Sequence, residues 1–120
     1  LGLSDKKTLS QSPYFPYLLE TLIVTDFWKR QLHWGELPSI YYLRTRDGLE
    51  VDLLVEISQK LHLLEIKSSA TISNKHISSL LKVQKELKDV QSADIISLSP
   101  DNFKIKNDIF NYNWQDILTL

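Results

Sequence analysis

The sequence predicts an α/β fold in which a mixed sheet of about four to five strands is flanked by helices. Residues 17–31 are dense in Leu, Ile, Val and Phe and contain no Gly or Pro, which indicates a largely buried helix. Three strand patterns follow within residues 40–67, and a second helical pattern then precedes a further strand. Strands framed by helices in this order are typical of an α/β sandwich.

The three strands are predicted to form an antiparallel meander. Residues 40–46 are rich in aromatic and branched side chains, and residues 49–56 alternate between apolar and polar. Asp47-Gly48 lies between them and is a strong signal for a tight hairpin turn. A second short turn leads into the third strand, residues 61–67.

Helical spacing returns after a polar loop. Asn74 is in a position to cap a helix. The apolar positions of that helix are Ile77, Leu80, Leu81 and Leu87. The remaining elements are a short buried strand, a weaker strand and a terminal helix, predicted at 94–99, at 103–105 and from 115.

The length of 120 residues is that of one domain. Residues 1–16 are predicted to be an irregular lead-in from an upstream region, and residues 17–120 to be the folded domain. Because the chain begins at Leu1 and contains no methionine, we expect it to be a piece of a longer protein.

Composition and charge exclude several classes of function. The chain has no cysteine, which excludes disulfides, zinc-thiolate sites and cysteine nucleophiles. Its formal net charge of −1 argues against a strongly basic coat for nucleic acid. No apolar run is long enough to cross a bilayer and no signal peptide opens the chain. We therefore expect a cytoplasmic protein without a membrane partner.

Two carboxylates and a lysine on the second and third strands indicate a metal-dependent site. Glu65 and Lys67 are two residues apart and therefore project from one face of their strand. Asp52 lies in the preceding strand, and the short connection allows it to lie beside Glu65. Two ionised carboxylates repel each other, and a hard cation such as Mg²⁺ or Mn²⁺ removes that conflict.

We therefore expect Asp52, Glu65 and the backbone carbonyl of Ile66 to be the metal ligands. Lys67 is left to orient a water or to stabilise charge on a phosphate. For Glu65 and Lys67 alone, the alternative interpretation is a weak ion pair at an exposed strand end.

Glu20 is a fourth candidate, on the first helix. Its neighbours at i+3, i+4 and i+7 are apolar: Ile23, Val24 and Phe27. A buried carboxylate without a partner is costly, and a metal ion or its bound water would supply that partner. The alternatives are a salt bridge to Arg44 or Lys67, or a helix that is less buried than predicted.

Other signals are interpreted as structural. Four aromatic residues in apolar segments are predicted to pack in the core or on the sheet rather than to stack on bases: Trp28, Trp34, Tyr41 and Tyr42. The three histidines are too far apart in the sequence to predict a metal triad, and His62 lies on the opposite strand face from Glu65.

Asp52 followed by Glu65-Ile66-Lys67 resembles the PD-(D/E)XK motif of restriction-endonuclease-like nucleases. The longer runs 41–56 and 64–69 are similar to the C-terminal domain of a large family of prokaryotic AAA+ ATPases, a domain of uncharacterised function. That family usually has Phe-Glu where this chain has Leu19-Glu20, and a proline where this chain has Val51. The resemblance spans about residues 12–100 and implies a restriction-endonuclease-like fold.

The resemblance implies that Asp52, Glu65, Lys67 and Glu20 are the catalytic residues, with Glu20 bound to the metal through a water. It also implies an upstream ATPase domain as partner, DNA as a further partner and an oligomeric assembly. ATP would bind only to that upstream domain, since no Walker A pattern occurs here. Two functions stay open: a magnesium-dependent nuclease, and a non-catalytic interaction or regulatory domain of the ATPase.

Overall fold

The computed structural model describes residues 12–44, 50–87, 89–106 and 108–118. Its elements in chain order are helix α1 (Phe15–His33), strands β1 (Ile40–Arg44), β2 (Glu50–Ile57) and β3 (Lys60–Ile66), helix α2 (Asn74–Glu86), strands β4 (Val90–Ser97), β5 (Phe103–Lys106) and β6 (Ile109–Asn113), and helix α3 (Trp114–Ile117). The meander of β1, β2 and β3 is confirmed. Its first turn, with Asp47-Gly48, lies outside the described residues.

The strands form one mixed six-stranded sheet in the order β1-β2-β3-β4-β6-β5. Strand β4 runs parallel to β3 and β6, whereas the other neighbours are antiparallel. The predicted α/β class is confirmed, with more strands than the four to five expected. Strand β6 was not predicted because two of its inward positions carry Asn111 and Asn113, while the aromatic residues Phe110 and Tyr112 face outward. Its alternation is therefore inverted relative to an ordinary half-buried strand.

The two faces of the sheet are covered by different helices. The core beneath α1 consists of Phe15, Leu19, Ile23, Leu53, Val55, Leu64, Ile66 and Ile96. The core beneath α2 consists of Val51, Leu63, Ile77, Leu80, Val83, Ala93, Ile95 and Ile109. Alternate residues of β3 therefore enter opposite cores, as the two-residue period of a strand requires.

Helix α1 is less buried than predicted. It begins at Phe15, so the last two residues of the predicted lead-in are helical, with Pro16 in the first turn. Four of its buried residues form a single stripe, and Gln31 is buried near its end; the four are Phe15, Leu19, Ile23 and Asp26. The opposite side exposes Tyr17, Trp28 and Leu32 to solvent. The prediction of a largely buried helix was therefore wrong, because apolar residues in this segment also occupy the outer face.

Helix α2 confirms the second helical pattern but not its predicted cap. Ser73 occupies the N-cap position, and Asn74 is the first helical residue. The Ser73 hydroxyl lies 2.9 Å from Nδ1 of His76 instead of accepting a hydrogen bond from the helix backbone. Within the described ranges, no helix is both long and apolar enough to cross a membrane.

Candidate functional site

A β-bulge in β2 positions Asp52. The Cα partners on its two sides are Tyr41 with Leu54 and Leu43 with Val51. Two residues of β2, Asp52 and Leu53, therefore face the single residue Tyr42 of β1. An extra residue of this kind bends the strand and redirects its side chains.

The bulge also changes which face of the sheet each residue reaches. Val51 packs beneath α2, whereas Leu53 packs beneath α1, although residues two apart share a face in a regular strand. The pairing of β2 with β3 ends at Leu53 and Leu64. Beyond that pair, the Asp52 carboxylate accepts a 2.7 Å hydrogen bond from the backbone N–H of Ile66. Asp52 is thus fixed to the end of β3.

Glu65 meets Asp52 in a nearly closed environment. The residue is only 5% exposed, and its carboxyl group is hydrogen-bonded to that of Asp52. Burial, followed by the hydrogen bond and the negative charge of Asp52, raises the pKa of Glu65 to about 8. Glu65 therefore retains its proton to a higher pH than an ordinary carboxyl group.

Lys67 is the cation of the site. Its Nζ lies 4.0 Å from Oε1 of Glu65, and its side chain is 25% exposed. This charge acts against the burial that raises the pKa of Glu65. The backbone N–H of Lys67 donates a 2.8 Å hydrogen bond to the carbonyl of Ile96, which fixes this end of β3 against β4.

His76, in the first turn of α2, is close enough to Lys67 and Asp52 for their charges to affect its pKa. Burial lowers the pKa of His76, the charge of Lys67 lowers it further, and the charge of Asp52 acts in the opposite direction. The histidine was not predicted as a site residue, because only the packing of α2 against the sheet brings it near Lys67 and Asp52.

Glu20 is connected to the site through Tyr42. The carboxylate of Glu20 is hydrogen-bonded to the hydroxyl of Tyr42, and this bond is the main cause that raises the pKa of Tyr42. The charges of Glu20 and Asp52 raise that pKa further. The bond joins α1 to β1 at the position opposite the bulge, so Tyr42 lies between Glu20 and Asp52.

The prediction that four aromatic residues pack in the core or on the sheet was wrong as far as the core is concerned. Their exposed fractions are 70% for Tyr42, 54% for Tyr41, 53% for Trp34 and 49% for Trp28. Apolar neighbours in the sequence were a poor guide, because α1 and β1 each bury only one side.

Two adjoining cavities share Tyr42 as a wall. The first, of about 300 Å³, lies between α1 and β1 and is lined by Tyr17, Glu20, Thr21, Val24, Thr25 and Tyr42. The second, of about 240 Å³, is lined by Tyr42, Leu43, Arg44, Val51 and Asp52. Because both cavities are lined by Tyr42, we describe them as one groove, which runs from helix α1 past Tyr42 to Asp52.

The four predicted site residues are therefore not equally close to one another. Asp52 and Glu65 are in contact, Lys67 lies beside Glu65, and the partner of Glu20 is Tyr42. In the described part of the chain, no group of three or more His, Cys, Asp or Glu side chains is arranged to hold a metal ion. Two carboxylates are nevertheless the usual protein contribution to a magnesium site, since Mg²⁺ keeps several of its waters.

Comparison with known proteins adds a family but no activity. A family model described as a domain of unknown function, DUF4143, matches residues 17–116. No curated protein and no solved structure matches the chain significantly.

Proposed function

The chain belongs to the DUF4143 family of domains of unknown function, and we propose that it is a magnesium-dependent phosphodiesterase domain that acts on nucleic acid. The observation that carries the proposal is the contact between the carboxyl groups of Asp52 and Glu65, beside the ammonium group of Lys67. A buried carboxyl group in contact with a second one retains a proton more readily, and a divalent cation can replace that proton. Perturbed ionisable groups of this kind concentrate at functional sites.

Asp52 and Glu65 would hold the ion, with the backbone carbonyl of Ile66 and waters as further ligands. A bound Mg²⁺ or Mn²⁺ would supply a water of lowered pKa and would offset negative charge on the phosphate. Glu65 would give up its proton when the ion binds, since a coordinating carboxylate is ionised.

The other residues of the site act on the phosphate and on protons. The Nζ of Lys67 is partly exposed and would bind a phosphate oxygen that approaches Glu65. His76 has a lowered pKa and is neutral at pH 7, so its imidazole can accept a proton at this site. Glu20 would not contact the metal or the phosphate and would act indirectly, because its interaction with Tyr42 holds that residue at the edge of the groove.

We further propose that the domain works in the cytoplasm beside an ATPase that delivers DNA to it. The support is the resemblance of residues 41–56 and 64–69 to the C-terminal domain of AAA+ ATPases. A net charge of −1 gives the chain little electrostatic affinity of its own for a polyphosphate. A tethered ATPase would raise the local concentration of DNA without any new contact here.

A second candidate is a non-catalytic interaction or regulatory domain of the same ATPase. One observation favours it: the acidic site is satisfied by its own hydrogen bonds. Asp52 accepts both the N–H of Ile66 and the proton of Glu65. Among the residues that the structure describes, every buried side-chain nitrogen and oxygen has a hydrogen-bond partner. A fold can keep such a site after its chemistry is lost.

Calorimetric titration of Mg²⁺ and Mn²⁺ separates the two candidates. A phosphodiesterase site should bind the ion, release about one proton below pH 8, and lose binding in Asp52→Ala. Asp101→Ala is the matched control, since Asp101 is exposed and only its backbone carbonyl accepts a hydrogen bond. Unchanged metal affinity in Asp52→Ala would overturn the metal site.

A cleavage assay then tests the chemistry. We expect weak or no cleavage by the isolated chain even with Mn²⁺, stronger cleavage in the presence of the ATPase, and none by Lys67→Ala in either case. Activity that survives in Lys67→Ala would refute the role of the ammonium group. Metal binding without cleavage in either setting would support the regulatory candidate.

A further inference from the structure

We propose that the substrate of this site is a single-stranded nucleic acid whose bases stack on Tyr17 and Tyr42. This inference rests on the proposed phosphodiesterase function and specifies its substrate class. The two rings lie in the groove that leads to Asp52, and their exposed fractions are 74% and 70%. Exposed aromatic rings beside a strand path are the usual platforms on which proteins stack unpaired bases.

The groove has a defined length and two different walls. Tyr17, Thr21 and Thr25 follow one another at i and i+4 along α1, which at 1.5 Å per residue makes a wall of about 12 Å. The opposite wall is Tyr42, beyond which the second cavity continues to Asp52. A strand that enters beside Tyr17 would therefore reach Asp52 after it passes Tyr42.

The interaction between Glu20 and Tyr42 connects the second ring to α1. Tyr42 is a solvent-exposed residue at the bulge, both residues line the first cavity, and the Glu20 carboxylate is close enough to the Tyr42 hydroxyl to raise its pKa. A ring that is already held in place loses less side-chain entropy when a base stacks on it. This gives the half-buried carboxylate of Glu20 a role at the groove that does not require contact with a metal.

Charge favours a single strand over a duplex. Glu20 and Asp52 line the groove, and the net charge of the chain is −1. Duplex binding depends mainly on cations that neutralise many phosphates, whereas Arg44 is the single basic residue among the described residues that line the two cavities. Stacking needs no charge and is open only to unpaired bases, because the faces of paired bases are covered by their neighbours.

Fluorescence anisotropy with a labelled oligothymidylate of about twelve nucleotides tests the inference. We expect the single strand to bind at least tenfold more tightly than a duplex of the same length, in EDTA, where no metal-dependent cleavage occurs. Tyr17→Ala and Tyr42→Ala should each weaken binding about tenfold. Tyr17→Phe and Tyr42→Phe should retain most of the affinity, because the ring that stacks is kept.

Tyr14→Ala is the matched control, since Tyr14 is 70% exposed on the same part of the chain but does not line the groove. Affinity for the single strand should fall less than tenfold between 50 and 200 mM salt, since few phosphates are neutralised. Equal binding of duplex and single strand, or unchanged binding by both alanine variants, would overturn the inference.

The same samples distinguish this failure from failure of the proposed function. Single strands could bind in a tyrosine-dependent way while no Mn²⁺-dependent cleavage occurs, with or without the ATPase. That result would refute the phosphodiesterase function and leave the stacking groove intact. Cleavage that depends on Lys67, but is equally fast on duplex and single strand and equally fast with the Tyr17→Ala variant, would refute the stacking groove. It would leave the phosphodiesterase function standing.

Discussion

Two polar clusters occupy neighbouring positions at the same edge of the sheet. The acidic site lies at the carboxyl end of β3, and a network of amides and hydroxyls lies at the carboxyl ends of β4 and β6, which run parallel to β3. The residues of the network are Ser97, Ser99, Asn111 and Asn113, and all four are buried. The acidic site buries Glu65 to a similar degree.

The side-chain hydrogen bonds of the amide network each join a donor to an acceptor. The hydroxyl of Ser97 donates to Oδ1 of Asn111 at 2.6 Å, and the amide of Asn111 donates to the carbonyl of Asp101 at 3.0 Å. The amide of Asn113 donates to the carbonyl of Ser99 at 2.8 Å. Such a network needs neither a proton from solvent nor a ligand.

The acidic site instead brings together two groups that both accept hydrogen bonds when ionised. Asp52 and Glu65 can stay in contact only if one of them keeps a proton, which is why the pKa of Glu65 is raised to about 8. Complementary pairing is what a structural cluster requires, whereas two acceptors in contact leave a position for a cation. The contrast between the clusters is therefore a physical reason to assign function to only one of them.

The largest change in stability should come from replacing an amide of the network by a carboxyl group, as in the acidic site. Asn111→Asp keeps the shape of the side chain but turns its donor towards Asp101 into a second acceptor. We expect the free energy of unfolding to fall by about 4 kcal/mol at pH 7, the cost of an uncompensated buried charge. Urea denaturation measures it, and exposed Asn74→Asp, in the first turn of α2, should cost nothing. Equal stability of both variants would break the comparison.

The next effect is the pH dependence of the acidic site. The pKa of Glu65 is higher in the folded than in the unfolded protein, so its contribution to stability is complete below pH 4.5 and is lost as pH rises towards 8. In EDTA, the wild type should lose about 1.4 kcal/mol per pH unit, or roughly 3 kcal/mol from pH 5 to 7, relative to Glu65→Gln. Exposed Glu56→Gln should follow the wild type. Parallel profiles for wild type and Glu65→Gln would show that the pair carries no shared proton.

A smaller change in stability should follow when Asp52 is replaced by asparagine, whose amide group can donate a hydrogen bond. In Asp52→Asn the amide oxygen can still accept the N–H of Ile66, while the amide nitrogen can donate to Glu65. We expect the metal-free protein to gain about 1 kcal/mol at pH 7, since Glu65 no longer needs a proton, and to lose metal binding. Thermal unfolding in EDTA checks the gain. A destabilised variant would mean that Asp52 is structural.

The positions of Glu65 and Lys67 could be predicted from strand geometry alone. Residues two apart in a strand share a side, and the 4.0 Å approach of their charged groups agrees with that expectation. Asp52 could be placed near them because its strand is joined to β3 by a short turn. That turn uses Ser58 and Gln59 with positive φ, the conformation of a two-residue hairpin loop.

The remaining features depend on contacts between elements that are distant in sequence. The bulge at Asp52 exists only in the pairing of β2 with β1, so no periodicity within β2 reveals it. Tyr42 and His76 belong to elements whose sequence patterns do not predict that these side chains lie near the acidic pair. Sequence patterns indicate which side of an element a residue occupies, but packing decides what it meets there.

The smallest effect tests whether complementary pairing at the surface follows the same rule as in the amide network. Tyr42 and Glu20 form a donor–acceptor pair, yet Tyr42 is 70% exposed, so water can replace either partner. Tyr42→Phe should therefore lower the free energy of unfolding by only about 0.5 kcal/mol. Tyr41→Phe, on the adjacent and also exposed residue, is the control and should change nothing. In a spectroscopic titration, Glu20→Gln should move the pKa of Tyr42 down towards its ordinary value, because the carboxylate that raises it is gone. If Tyr42→Phe lowered the free energy of unfolding by more than about 2 kcal/mol, this pair would behave like the buried network. It would then not be an exposed part of the groove.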